Sequence, residues 1–393
     1  MKRDNPKYHI LKVPFFALLL ETIVLFVPLF TTKENRISDG AAYYLFPVTH
    51  WSSLLFPAIV ILTLCAVLFA WNRRRHIEAI AGALLFLFPW VHLSFTSGFL
   101  MKDLTEAARI SPQTGTWICV AAAYVLFADS TKFIKSKSFV WGVLVLPFAI
   151  IAWLAVGENL AALSILQEYN NKSGRFLLEF TTHIYLSGIS VLISCIVGIP
   201  LGLIAYKQNV CKNGIFLFTN TVQTIPSLAL FGLLIAPLSY ISHQYPVLRD
   251  IGIKGIGTAP ALIALSLYAL LPVTLNTFTS FKQIDNSVKE AGRGMGMGVF
   301  QLLFMVEIPL SLPVLLNGIR VAAVLTIGNT AVAALIRAGG LGSFIFQGLG
   351  QSAPDLILLG VIPIIALAIF TDRLFTLLIH ITGPASMRSP LST

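Results

Sequence analysis

Charge is scarce in this chain of 393 residues: Asp, Glu, Lys and Arg together make up 11%. A soluble globular domain carries about twice that share, so an ordinary water-facing surface is excluded. Cysteine is scarce as well. Cys65, Cys119, Cys195 and Cys211 show neither metal-ligand spacing nor a disulfide framework, and read as small apolar packing residues. No G-x-x-x-x-G-K-[ST] phosphate loop occurs, which excludes ATP binding and hydrolysis by that route. Nor do a nucleophile, a base and an orienting group recur together on one membrane face, which argues against an enzyme. Fixed-period repeats and low-complexity tracts are missing too.

What is present is apolar. Hydrophobic residues make up 56% of the chain, and the mean hydropathy is +0.83. Lipid offers no partners for backbone N–H and C=O groups, so such a chain must cross as helices of about 20 apolar residues. Hydropathy and loop charge place spans near 14–31, 53–71, 77–97, 113–129, 139–156, 179–205, 214–238, 258–279, 312–335 and 355–379. The fold class is all-α: a polytopic membrane protein of about ten helices. His92 and Ser94 interrupt the third span. With the N-terminus inside, sixteen Lys and Arg fall on the cytoplasmic side and nine outside, which puts both termini in the cytoplasm. The net charge of +10 then anchors the protein to anionic lipid head groups and implies no nucleic-acid partner. A signal peptide over 1–31 is rejected: the apolar run is too long and lacks a small-x-small cleavage site.

The chain divides at a polar outer stretch. Residues 1–157 form an N-terminal membrane extension of five spans, 158–178 an extracytoplasmic connector, and 179–385 a second set of five, with a cytoplasmic loop near 282–309. The second half is dense in Gly, Pro, Gln and Asn at membrane depth. Gln223, Thr224, Pro226 and Ser227 cluster in the seventh span, Asn276 lies near Pro272 in the eighth, and Asn329 beside Thr330 in the ninth. These residues fit two roles equally: lining a kinked translocation path, or gluing helices together by hydrogen bonds. Glu21 falls mid-span, where an ionised carboxylate is expensive; a local structural hydrogen bond is the favoured reading. Arg320 either snorkels to the cytoplasmic face or pins the nearby loop, with snorkelling favoured, and Asp372 and Arg373 belong to the interface.

The cytoplasmic loop reads VKEAGRGMGMGVFQLLFMVEIP over 288–309. Ser287 and Glu290 have the spacing of a capping box, so a short helix is expected to start there. Glycines at 292, 294, 296 and 298 make its continuation costly, by about 1 kcal/mol each, and predict a pliable stretch after one or two turns. Ala291 and Gly292 give it a face without bulk that another protein can approach closely. On the residues alone, an ordinary flexible connector remains an alternative.

Glu290-Ala291-Gly292, followed by Gly296, Val306, Ile308 and Pro309, resembles the EAA loop of ABC-importer permeases, with Gly292 in place of the second alanine. The resemblance extends over about 175–380. VQTIPSLALFGLLI at 222–235, APALIALSLYALLPVTLNTF at 259–278 and AGGLG at 338–342 resemble the permeases of osmoprotectant importers for glycine betaine, choline or carnitine. Arg337 departs from the small residue usual ahead of AGGLG, and Arg320 looks like a residue the subfamily carries.

The resemblance implies a type I importer core in the cell inner membrane. Its coupling helix would seat in a cytoplasmic ABC ATPase, and a second permease copy or paralogue and an extracytoplasmic solute-binding protein would complete the machine. Glu290 would cap and orient that helix, Ala291 and Gly292 would allow close docking, and Pro309 would fix the turn into the next span. No cofactor and no metal is expected on this chain; ATP and Mg would be used by the ATPase. The 28 phenylalanines are spread over most spans and form no cage for a quaternary ammonium, so affinity is expected in the binding protein. The alternatives are the same importer for an amino acid such as methionine, or a stand-alone secondary transporter, which should carry midplane charges that the second half lacks.

Overall fold

The computed structural model describes residues 6–35, 38–45, 50–68, 74–102, 104–105, 108–250 and 252–383, and the side chains among them except those of 6–12, 67, 68 and 74. Lys2, Arg3, Arg36, Arg73 and Arg388, counted above for orientation, and the expected domain end at 385 lie outside the described residues. The chain forms two compact units, 1–171 and 172–392.

In the first unit the helices are α1 (Pro6–Val24), α2 (Leu55–Leu68), α3 (Arg74–Leu100), α4 (Thr114–Ser130), α5 (Lys137–Val156) and the short α6 (Ser164–Asn171). The sequence reading expected helix through residue 31, but α1 ends at Val24. Pro28 explains the difference: it has no N–H to donate and pushes the residue before it out of the helical region. The apolar residues beyond it, Leu29 and Phe30, are buried at the start of a strand instead. Strands β1 (Phe30–Lys33), β2 (Ala41–Tyr43) and β3 (Arg109–Pro112) make an antiparallel sheet in the order β2-β1-β3, with Thr31 opposite both Ala42 and Ser111.

His92 does not interrupt α3. It is buried, with Nδ1 2.9 Å from Ser52 Oγ and Nε2 3.4 Å from Tyr43 Oη, and so joins the helix to β2 and to the turn before α2. Glu21 is fully buried and accepts from Thr63 Oγ1 at 2.9 Å, the local hydrogen bond expected of a carboxyl at this depth. Within the stretch expected as a connector, 158–178, α6 is tied to β3 by the Arg109–Glu168 ion pair at 2.8 Å.

The second unit comprises α7 (Ser173–Lys207), α8 (Asn209–Thr224), α9 (Ser227–Gln244), α10 (Pro246–Asp250), α11 (Thr258–Lys282), α12 (Asn286–Gly294), α13 (Val299–Leu302), α14 (Ile308–Thr330), α15 (Gly342–Gly350) and α16 (Pro354–Thr382). Helix α11 is its centre. Ala261, Ala264, Leu265, Ala269, Val273 and Thr274 are buried along it. Close approach of its neighbours depends on missing side chains. A Cβ on Gly202 of α7 would lie 2.6 Å from Thr277 Cβ, and one on Gly318 of α14 would lie 2.4 Å from Asn276 Cβ. Lipid supplies no hydrophobic drive between spans, so small residues that let backbones pack closely carry the association.

Among the described residues, seven helical segments are long and apolar enough to cross a membrane, and three shorter apolar helices accompany them. Each of the ten expected spans overlaps one of these. The seventh, expected as one run over 214–238, is broken: α8 ends at Thr224, Ile225 and Pro226 are extended, and α9 starts at Ser227. The ninth begins earlier than expected, at Val299.

Candidate coupling loop and membrane site

Helix α12 starts earlier than the capping box implies. Its N-cap is Asp285, whose Oδ1 accepts from the Ser287 N–H at 3.0 Å. Aspartate two residues upstream takes the cap, so Ser287 sits exposed in the first turn, and the exposed Glu290 carboxylate caps no backbone N–H among the described residues. The hydrogen bond from the Ser287 backbone holds the Asp285 carboxyl below its ordinary range.

The helix ends in an ordered motif and not in a pliable stretch. Gly296 has φ +83°, its N–H reaches Arg293 O at 2.9 Å, and the Met297 N–H reaches Gly292 O at 3.1 Å. This is a Schellman closure, and it explains Gly296: the left-handed position strains any side chain. Gly292 and Gly294 lie within the helix.

Gly292 faces its own chain. It is buried, and a Cβ there would meet Leu302 Cδ1 at 2.6 Å. Lys289, one helical turn earlier, is 7% exposed; its Nζ donates to Tyr206 Oη at 2.7 Å and sits 5.1 Å from that ring's centroid. Together they bind α12 to the end of α7 and to α13. The sequence reading missed Lys289 because its partner is 83 positions away; its only local signal is the three-residue spacing to Gly292. The outward side of α12 shows Ser287, Val288, Glu290 and Ala291, followed by an exposed Met295.

Pro309 does not turn the chain. It lies in a helical run from Val299 to Thr330, widened by a π turn over Leu303–Glu307 that contains Val306. Proline cannot donate to the carbonyl four residues back and its ring presses on it; the wider turn, closed by the Ile308 N–H on Leu303 O, accommodates that defect.

The polar residues at membrane depth separate into two groups. Pro272 leaves the Tyr268 carbonyl without its helical donor, and Gln223 Nε2 supplies one at 3.1 Å. In return Tyr268 Oη donates to Ile225 O, which the break at Pro226 frees. Asn276 Nδ2 donates to Pro272 O at 2.8 Å beneath Gly318. Gln223 therefore holds α8 to α11, whereas the Asn276 hydrogen bond stays within α11. Thr224 and Pro226 are exposed, Ser227 and Asn329 half-buried, and no hydrogen bond engages the Ser227 or Asn329 side chain among the described residues.

Two further charged groups act between helices. Arg320 does not snorkel: its Nε and Nη2 both lie 2.6 Å from Asp372 Oδ1, joining α14 to α16. Glu179 of α7 accepts from the Gly340 N–H at 2.7 Å, and Arg175 reaches Glu179 at 3.6 Å and Gln347 at 3.1 Å. One turn further along α7, His183 Nε2 donates to Ile327 O at 3.0 Å where α14 tightens into a 3₁₀ turn. The AGGLG stretch is thus a clasp on α7. Arg337 ends the 3₁₀ turn with φ +59°.

Both parts of this sequence are matched by known proteins. Residues 198–380 match the family described as binding-protein-dependent transport system inner membrane component. Residues 10–166 match one described as ABC transporter permease YehY, N-terminal domain. The osmoprotectant import permease protein OsmW of Salmonella typhimurium is 38% identical over 206 residues, which is 52% of this chain and 91% of that protein. The chain belongs to the binding-protein-dependent inner membrane components. It is a polytopic permease subunit of the ABC transporter class. The carnitine transport permease protein OpuCB of Listeria monocytogenes is 37% identical, over 53% of this permease and 88% of its own length. The choline transport system permease protein OpuBB of Bacillus subtilis is 33% identical, over 57% and 96%. A structure of the MetNI methionine ABC transporter in an inward-facing conformation is also similar, with 19% identity over 53% of this permease and 96% of that chain, at TM-score 0.46.

Proposed function

We propose that this permease is the membrane-spanning subunit of an ATP-driven importer of osmoprotectants of the glycine betaine, choline and carnitine class. The observation that carries it is identity of 33–38% to permeases named for those solutes, over most of their length. On this reading the subunit is non-catalytic. ATP and Mg are used by a cytoplasmic ABC ATPase, an extracytoplasmic binding protein delivers the solute, and a second permease completes the pore. The protein lies in the cell inner membrane with both termini cytoplasmic, as the Lys and Arg asymmetry favours.

In this reading α12 is the element that transmits ATPase closure. Lys289 and Gly292 fasten it to the spanning helices, so a push on its outward face moves α7 and the 299–330 helix as one body. Val288, Glu290, Ala291 and Met295 form the docking face, and Thr224, Ser227 and Asn329 are the polar groups left for the path. With affinity supplied by the binding protein, a zwitterionic or cationic quaternary ammonium solute needs only a weak, wide path through the permease.

Uptake of radiolabelled glycine betaine into cells expressing the complete transporter, with and without this permease, tests the cargo. Permease-dependent uptake blocked by unlabelled choline and carnitine but not by methionine is expected. A complex that hydrolyses ATP yet shows no permease-dependent uptake overturns the cargo assignment.

A further inference from the structure

Behind α12 is a cavity of about 370 Å³ that the coupling role does not use, lined by the end of α7, by Arg293 and by the helix that starts at Val299. Its charged lining is unequal: Lys207 and Arg293 against Glu307 alone. The Lys207 and Arg293 side chains are exposed and engage no carboxylate among the described residues. Tyr206 adds a third donor. Its Oη already accepts from the buried Lys289 Nζ, so its own proton is free for another acceptor, and Lys289 places a further positive charge behind the ring. An ammonium, a guanidinium and a hydroxyl on residues that line one concavity are the donor set that holds a phosphate oxygen cluster.

The position of the cavity selects the source of that phosphate. It opens at the ends of two spanning helices, α7 at Lys207 and the long helix at Val299. Next to it Val299, Phe300 and Phe304 stand exposed, an apolar flank that a free anion does not require and that an acyl chain or the headgroup boundary covers. The geometry points to a binding site for the phosphate headgroup of an anionic membrane lipid, lodged between α7 and the coupling loop. Glu307, only 8% exposed, is its internal competitor, since its carboxylate occupies the same field as the headgroup. The consequence for transport rests on the reading of α12 as the coupling element: a lipid held there sets how firmly that helix is seated.

The test is a titration of the full-length permease in detergent with phosphatidylglycerol, followed by native mass spectrometry, with phosphatidylcholine and inorganic phosphate as the other arms. The wild type is expected to retain phosphatidylglycerol in preference to phosphatidylcholine. Lys207→Gln with Arg293→Gln should weaken retention by roughly tenfold, since each cation at a membrane surface favours anionic lipid. Glu307→Gln should strengthen it, a gain that a misfolded variant cannot produce. Equal retention of phosphatidylglycerol by the wild type and all variants overturns the site. Displacement of the lipid by millimolar inorganic phosphate, or no preference over phosphatidylcholine, overturns the assignment to lipid. Retention is read without ATP turnover, so its failure leaves the coupling reading intact, and a failure of coupling leaves the lipid result intact.

Discussion

Gln223 and Tyr268 each satisfy a backbone carbonyl that a helix defect leaves bare: Gln223 serves Tyr268 O, whose helical donor Pro272 lacks, and the Tyr268 hydroxyl serves Ile225 O in the break between α8 and α9. Two helix defects 40-odd residues apart are thus repaired by each other's neighbours. Proline in a spanning helix is tolerated when nearby side chains re-satisfy the freed groups, and here that rule is met reciprocally.

Gln223→Leu should therefore destabilise the permease by about 1–3 kcal/mol, the cost of a buried carbonyl left unpaired. Pro272→Ala restores the helical N–H to Tyr268 O. In that background Gln223→Leu should cost clearly less, which thermal unfolding in detergent can measure. Equal costs in both backgrounds would show that Gln223 acts elsewhere, for instance in the path.

Glycine substitutions should divide by geometry. Gly318→Ala drives a Cβ to 2.4 Å from Asn276 Cβ, and Gly202→Ala to 2.6 Å from Thr277 Cβ. Overpacking of this kind costs about 1–3 kcal/mol, and both variants should show lowered melting temperatures. Gly188→Ala and Gly328→Ala, which meet nothing within 4 Å, should melt as the wild type does.

If α12 is the coupling element proposed above, Gly292→Ala should unseat it by pressing on Leu302, and so reduce co-purification of an ABC ATPase partner. Leu302→Ala in the same chain removes the atom at 2.6 Å and should restore it. Failure of the second change to rescue would place the Gly292 requirement on the partner's side.

The Asp285 cap carries a pH dependence. Its carboxyl titrates below the ordinary range in the folded loop, so its contribution is fully present above the unfolded value and is lost as pH falls through the folded one. Hydrogen exchange at the Ser287 amide should quicken relative to the intrinsic rate as pH drops through that acid window. Asp285→Asn, which keeps an acceptor but no charge, should abolish the effect.

Arg320 and Asp372 form one unit across α14 and α16. Asp372→Asn should lower the yield of folded permease by leaving the guanidinium unpaired near membrane depth, whereas Arg320→Met with Asp372→Leu should be closer to wild type than either single change. Size-exclusion profiles of the three variants decide between this and a freely snorkelling Arg320.

The membrane class, the helical fold and the EAA-like loop were legible in the sequence because they depend on composition and on short-range spacing. A run of apolar residues in lipid has few solutions, and the Glu290, Gly296 and Pro309 spacing lies within one loop, although the cap fell on Asp285 and not on the expected Ser287. Tertiary structure alone decided which polar residues are glue: Gln223, Lys289 and His183 each find partners through three-dimensional packing, and the carbonyls that Gln223 and His183 serve are free only once Pro272 and the tightened end of α14 are in place. Likewise Pro28 ended α1 early and let Leu29 and Phe30 enter a sheet whose other strands lie up to 82 positions away, a pairing that no local pattern records. Local preference selects the element; the partner that satisfies its last backbone group is chosen by the fold.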